Sequence, residues 1–417
     1  MYYGYDISDR VVALAKQAEE DCAPVFRRIE ENCTKCSAKV LRAFQETKVS
    51  TADFIEVTGY GYTDDGRDKL EEIYARVFGA EDALVRVQLM SGTHALAVTL
   101  SALLKHGDTL LYISGEPYDT LRSVIGTAGE SRNSLMKNGV KYEEIPLLGD
   151  DFDLEAIRER LSKGGVRVAA IQRSRGYSQR RSLTIDKIAE AIRVVKEVSP
   201  ETIIMVDNCY GEFTEDREPT DVGADVFVGS MMKNLGSGFA VSGAYCVGTR
   251  EVIEDIAERL TAPCVGKSLG ANFNQLASLY KGFFMAPQAV ASTLKSMAFA
   301  ARLLELAGFP DVSPRYDEIR TDIVQTLDLH SAENLIRFCR GIQAGSPVES
   351  YCTPEPGEMP GYPHEEIMAA GTFITGATNE LSCDGPLTPP YTAYMQGGLT
   401  YDYGKLGVMR ALDEMLK

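Results

Sequence analysis

Between residues 83 and 229, short apolar runs alternate with stretches whose apolar positions recur every three or four residues. The runs at 83–88, 109–113, 166–171, 202–207 and 225–229 are rich in Val, Ile and Leu and read as strands. The segments at 94–104, 153–163 and 184–198 carry the helical period. Strands alternating with helices predict an α/β fold: a mainly parallel sheet covered on both faces. Ahead of it, residues 9–47 read as helix with an interruption expected near Pro24. A Gly/Tyr-rich loop at 58–67 and a helix at 69–78 follow. Beyond residue 229 the pattern changes. A long, largely apolar helical region covers 270–308, then come a Pro/Gly-rich stretch at 353–363, an expected strand at 371–375 and a terminal helix. The expected organisation is a helical arm (1–57), a large α/β domain (58–290) and a smaller α+β domain (291–417).

Charge narrows the class of partner. The chain of 417 residues carries 60 acidic against 43 basic side chains, a net charge of −17. That balance disfavours a nucleic-acid backbone. No apolar run reaches the ~18 residues of a membrane-spanning helix, so no membrane partner is expected. The first residues lack the basic start and apolar stretch of a signal peptide. Nine cysteines without an export signal read as reduced thiols in the cytoplasm. Cys33 and Cys36 have C-x-x-C spacing, but the charged amphipathic helix around them favours inert cysteines over a redox or zinc pair. The four histidines, His94, His106, His330 and His364, show neither zinc spacing nor a hydrolase triad, so no metal is expected.

The candidate chemistry sits at strand ends. Asp207 closes the run at 202–207, where open α/β sheets place their ligands. Lys233 follows the run at 225–229 and is flanked by Ser230, Asn234, Gly236, Ser237 and Gly238. Either residue alone has a plain reading, Asp207 as a turn cap and Lys233 as a surface lysine. Together they suit pyridoxal 5'-phosphate. A lysine amine condenses with its aldehyde, and a carboxylate keeps its ring nitrogen protonated. Desolvation is expected to lower the Lys233 pKa and make the amine nucleophilic. Ser91, Gly92 and Thr93 open a helix after a strand, a place that suits a phosphate as well as an ordinary N-cap. Tyr118, which follows the strand at 109–113, could stack on a ring or simply pack. Gly59 and Gly61 lack the strand-to-helix context of a dinucleotide fingerprint.

Several segments carry a family resemblance: TGYGYTDDGR at 58–67, SGTH at 91–94, GEPYD at 115–119, IQRSRGY at 171–177, VDNCYGEF at 206–213 and GSMMKN at 229–234. The chain resembles the fold type I pyridoxal-phosphate enzymes of the Cys/Met-metabolism branch. Within that branch it is similar to the aluminium-resistance, methionine gamma-lyase-like carbon–sulfur lyases. The resemblance implies a lyase that breaks the carbon–sulfur bond of a cystathionine- or methionine-type amino acid by β- or γ-elimination. An aminotransferase, a decarboxylase or a non-catalytic protein of this fold are the alternatives. It further implies roles. Lys233 would hold the cofactor and move the Cα proton, and Asp207 would pair with the ring nitrogen. Tyr118 would stack on the ring and act as an acid or base. Ser91, Gly92, Thr93 and Ser230 would bind the phosphate, and Arg175 would lie near the ring hydroxyl. Tyr62 would reach the phosphate of a neighbouring subunit, which implies a homodimer or homotetramer with shared sites. The chain departs from the family pattern twice. Met232 stands where relatives have Ser or Thr, and residues 397–404 offer no Arg for the substrate carboxylate, leaving Arg173 a candidate substitute.

Overall fold

The apolar runs become the strands of a seven-stranded sheet. In the computed structural model, which describes residues 2–60, 64–358 and 364–417, these are β1 (Asp82–Arg86), β2 (Thr109–Tyr112), β3 (Lys141–Glu144), β4 (Val166–Gln172), β5 (Ile203–Asp207), β6 (Val226–Ser230) and β7 (Ala244–Gly248). Their order is β1-β7-β6-β5-β4-β2-β3. Strands β3, β2, β4, β5 and β6 run parallel, while β7 is antiparallel to both β6 and β1. Strands buried on both faces need apolar side chains throughout, and all of β2, β6 and β7 are buried. Sequence patterning did not single out β3 or β7. β3 is an edge strand of Lys141, Tyr142, Glu143 and Glu144, so its apolar signal is weak. β7 follows a glycine-rich stretch that hides its start.

Two units emerge from the chain's internal contacts, Cys36–Phe284 and Met1–Lys35 with Met285–Lys417. The first holds the seven-stranded sheet. The helices Gly92–Leu103 and Arg250–Leu260 pack Leu96, Leu100, Val252 and Ile256 into one core with Leu110, Val168, Met205 and Val228 from the sheet. In the second, a six-stranded sheet combines β8 (Val312–Ser313), β9 (Gln325–Asp328), β10 (Gly357–Glu358), β11 (Glu365–Ala369), β12 (Ser382–Pro386) and β13 (Thr392–Gln396). All its pairings are antiparallel. The helices Ala332–Ala344 and Tyr401–Leu416 bury Leu335, Phe338, Val408 and Leu412 with it.

Two local expectations fail for physical reasons. The helix Asp9–Glu46 runs through Pro24 without a break. Its stripe of Val11, Ala15, Ala18, Cys22 and Val25 is buried on both sides of the proline, and that burial offsets the lost backbone hydrogen bond. Residues 371–375 do not form a strand. The buried Glu380 carboxylate accepts the N–H groups of Phe373 and Ile374, at 2.7 and 3.0 Å, so those groups are used there rather than in a ladder. The strand of this region is β11 instead.

Candidate active site

The parallel strands β4, β5 and β6 end side by side, with Gln172 opposite Asp207 and Asp207 opposite Val228. Asp207 is therefore fixed by ladders on both sides, and it is buried. Its Oδ1 accepts the Cys209 N–H at 3.1 Å, and the Cys209 thiol donates to the same carboxylate. From β6 the chain turns at once. The Lys233 N–H donates to the Ser230 carbonyl at 3.2 Å. Gly236 permits the close approach that follows, since a Cβ there would fall 1.7 Å from the Met231 carbonyl oxygen.

Lys233, Asp207 and Tyr118 line one cavity, together with Gln172, Ser174, Gly176, Cys209 and Tyr210. Tyr118 starts the helix Asp119–Ile125, and its N–H donates to Gln172 Oε1 at 2.7 Å. The Lys233 ammonium lies over the Tyr210 ring, 3.8 Å from its centre. The electrostatics differ from expectation. Burial pulls the Lys233 pKa down, but the acidic groups Cys209, Tyr210, Asp207 and Tyr118 around it outweigh that, and the net shift is upward. Burial pushes the Asp207 carboxyl up, opposed by Lys233 and by the two Cys209 donors.

Ser91, Gly92 and Thr93 approach the same strand ends. A Cβ on Gly92 would lie 3.2 Å from Cys209 Sγ and 3.4 Å from the Ser230 side chain, so the helix start packs closely on the Asp207 and Ser230 turns, and glycine at 92 eases that approach. Ser91 Oγ caps the helix by accepting the His94 N–H at 3.1 Å. Thr93 Oγ1 bonds to Thr120 Oγ1 at 2.7 Å. Ser230 Oγ accepts the Met232 N–H at 3.2 Å. The Ser91 and Ser230 hydroxyls each keep a hydrogen to donate. Arg175, 1% exposed, lines an adjoining cavity of about 430 Å³ that shares Tyr118, Gln172 and Gly176 with the first. Tyr62 lies outside the described residues.

Arg173 is not available to a substrate. It is wholly buried, and its guanidinium is bonded to Asn208 Oδ1 at 2.9 Å, the Gly211 carbonyl at 3.0 Å, Glu218 at 3.2 Å and Glu215 at 2.7 Å. It is the clamp of the turn after β5. Five residues that line the cavity went unassigned in the sequence, Gln172, Ser174, Gly176, Cys209 and Tyr210, and so did Glu212 behind it. All lie inside the family-like segments, but nothing local to them marks a role. Glu212 is buried behind this turn, accepts the Tyr245 hydroxyl, and is pushed up to about 8 by burial.

The donor set fits pyridoxal phosphate. A buried carboxylate, an amine and an aromatic side chain share a cavity, and a glycine-opened helix start closes on it. Fold and site together define the class, the fold type I pyridoxal-phosphate enzymes. The chain belongs to the methionine gamma-lyase family, whose model matches residues 11–416, and it is thereby a pyridoxal-phosphate-dependent carbon–sulfur lyase. It is 45% identical over 405 residues to the protein YnbB of Bacillus subtilis, covering 97% of this chain and 96% of that one. It is 44% identical to a Clostridium novyi NT carbon–sulfur lyase involved in aluminum resistance, with a TM-score of 0.94, covering 98% of this chain and 96% of that one. The pyridoxal-5'-phosphate-dependent protein YhfS of Escherichia coli shares the fold at 18% identity and a TM-score of 0.62, covering 93% of this chain and 96% of that one.

Proposed function

We propose that this enzyme cleaves a thioether amino acid of the cystathionine or methionine type by β- or γ-elimination, with Lys233 as its central base. The observation that carries the reading is the convergence of Lys233, Asp207 and Tyr118 on one cavity at neighbouring strand ends. When bound, pyridoxal phosphate supplies an aldehyde that condenses with amines and a protonated ring that takes up the electron pair left on Cα. Asp207 would pair with the ring nitrogen and keep it protonated, and the Cys209 donors keep that carboxylate oriented. Ser91, Gly92, Thr93 and Ser230 hold the phosphate. Lys233 takes the Cα proton, a step in which positioned general bases contribute ~10²–10⁴-fold. Tyr118 would stack on the ring and exchange protons with the leaving sulfur, which departs with its bonding pair and becomes a thiol. Water then releases a 2-oxo acid and ammonia. Arg175, in the adjoining cavity, would hold the ring hydroxyl.

We further infer a homo-oligomer, dimer or tetramer, with shared active sites. Among the described residues none of the nine cysteines is joined in a disulfide, which supports a reducing, cytoplasmic setting. Among the described residues no helix is long and apolar enough to cross a membrane. The test is direct. Purified enzyme is supplied with L-cystathionine, L-methionine and L-cysteine, and oxo acid and thiol are assayed. Release of both in equal amounts is expected from at least one. No turnover of any of them removes the lyase reading, and a requirement for an oxo-acid acceptor points to transamination instead.

A further inference from the structure

Beside the Lys233 cavity lies the chamber of about 430 Å³ that shares Tyr118, Gln172 and Gly176 with it. Its walls carry charge of both signs. Arg175 forms a buried wall, and Glu116 and Asp119 stand exposed on another. Glu116 is held from both sides. The Gly115 N–H donates to the Ile145 carbonyl at 2.9 Å, and the Tyr118 N–H donates to Gln172 Oε1 at 2.7 Å. Gly115 has a φ of 80°, so the turn before Glu116 takes a conformation that glycine adopts without strain. Arg122 meets Glu116 Oε1 at 3.0 Å. A carboxylate has about four lone-pair sites, so Glu116 keeps capacity for a second cation.

A bare alkyl thiol, the leaving group of methionine, matches this chamber badly. It fills little of the volume, and it displaces water from charged walls without replacing the hydrogen bonds. Cysteine or homocysteine as the leaving group carries an ammonium and a carboxylate, one for each sign of wall charge. We propose that the chamber receives the amino-acid head of the leaving group, with Glu116 accepting its ammonium, so that the substrate is a thioether with two amino-acid heads, as in L-cystathionine. The proposal rests on the lyase reading and chooses between the two substrate types that reading leaves open. The carboxylate of the second head faces Arg175, whose planar fork of donors can serve a carboxylate and a ring hydroxyl together. Methionine-type thioethers lack the second head and gain none of this binding.

The holoenzyme tests this with isosteres that lack the second head. S-propyl-L-cysteine matches L-cystathionine cleaved by β-elimination, and L-ethionine matches it cleaved by γ-elimination. The oxo acid formed, pyruvate or 2-oxobutyrate, identifies the route and so the matching isostere. L-cystathionine is expected to exceed that isostere about a hundredfold in kcat/KM, because a site built for polar groups rejects an analogue without them. E116Q keeps the size of the side chain and removes its charge. It is expected to raise KM for L-cystathionine about tenfold, the worth of a hydrogen bond to a charged group, and to narrow the preference by the same factor. An isostere turned over as efficiently as L-cystathionine, or in its place, overturns the proposal. So does an E116Q loss equal on both substrates, which would assign Glu116 to the structure of its loop. Absence of turnover of L-cystathionine and of both isosteres instead removes the lyase reading itself.

Discussion

Arg173 and Lys233 are two cations just past the ends of β4 and β6, the strands that flank β5, and the fold treats them in opposite ways. Arg173 is closed off from solvent and bonded to Asn208, Gly211, Glu215 and Glu218. Lys233 lines a cavity and rests on an aromatic face. A guanidinium presents a planar fork of donors that can be matched one by one, whereas an ammonium is a compact charge on a flexible stem. The first suits a clamp and the second suits chemistry. The contrast shows that a buried or half-buried cation is a site candidate only when its surroundings leave it a volume to act in. Both cations serve the same turn. Arg173 fixes the backbone from Asn208 to Glu218, and that turn carries the Cys209 and Tyr210 side chains to Lys233.

The comparison is broken most forcefully by removing each cation. K233A is expected to lower kcat by ~10³-fold or more and to abolish the borohydride-sensitive absorbance of the bound cofactor. Its urea unfolding reads separately what the loss of the Lys233 charge beside the buried Asp207 costs in stability. R173M is expected to do the reverse, costing about 3–5 kcal/mol of stability by stranding Glu218 and Glu215 without their partner. A stable R173M protein would show that the clamp is dispensable.

A pH experiment sharpens the picture of the same turn. Glu212 is pushed up to about 8 by burial, from an ordinary 4.5. The folded state thus prefers its neutral form. That preference stabilises the fold fully below about 4.5 and is lost as pH rises through about 8. Between those limits the parent should lose about 1.4 kcal/mol per pH unit relative to E212Q. Denaturant titrations of both proteins at pH 5 and pH 8 measure the difference, and parallel behaviour would mean that Glu212 ionises freely in the fold. The smallest expected effect is at Ser91. S91A removes the N-cap that accepts the His94 N–H and should cost about 1 kcal/mol of stability. If Ser91 also holds the phosphate, the variant weakens cofactor retention, which equilibrium dialysis reads separately.

What could be read from the sequence was what depends on near neighbours. Apolar runs marked β2, β4, β5 and β6 because each must be buried on both faces, and Asp207 stood out as a carboxylate closing such a run. Lys233 stood out because Ser230 and Gly236 beside it signal a tight turn after β6. The continuity of the helix through Pro24 was not legible, because it depends on burial of a stripe rather than on the proline. Residues 371–375 have strand-like composition, but Glu380 bonds their N–H groups. Only the tertiary structure decided that Arg173 is a clamp, that Cys209 donates to Asp207, and that Tyr210 takes a left-handed turn under Lys233. Periodicity and turn chemistry are local properties of the chain. Which partner a charged group meets, and which backbone strain is tolerated, are set by contacts between segments far apart in sequence.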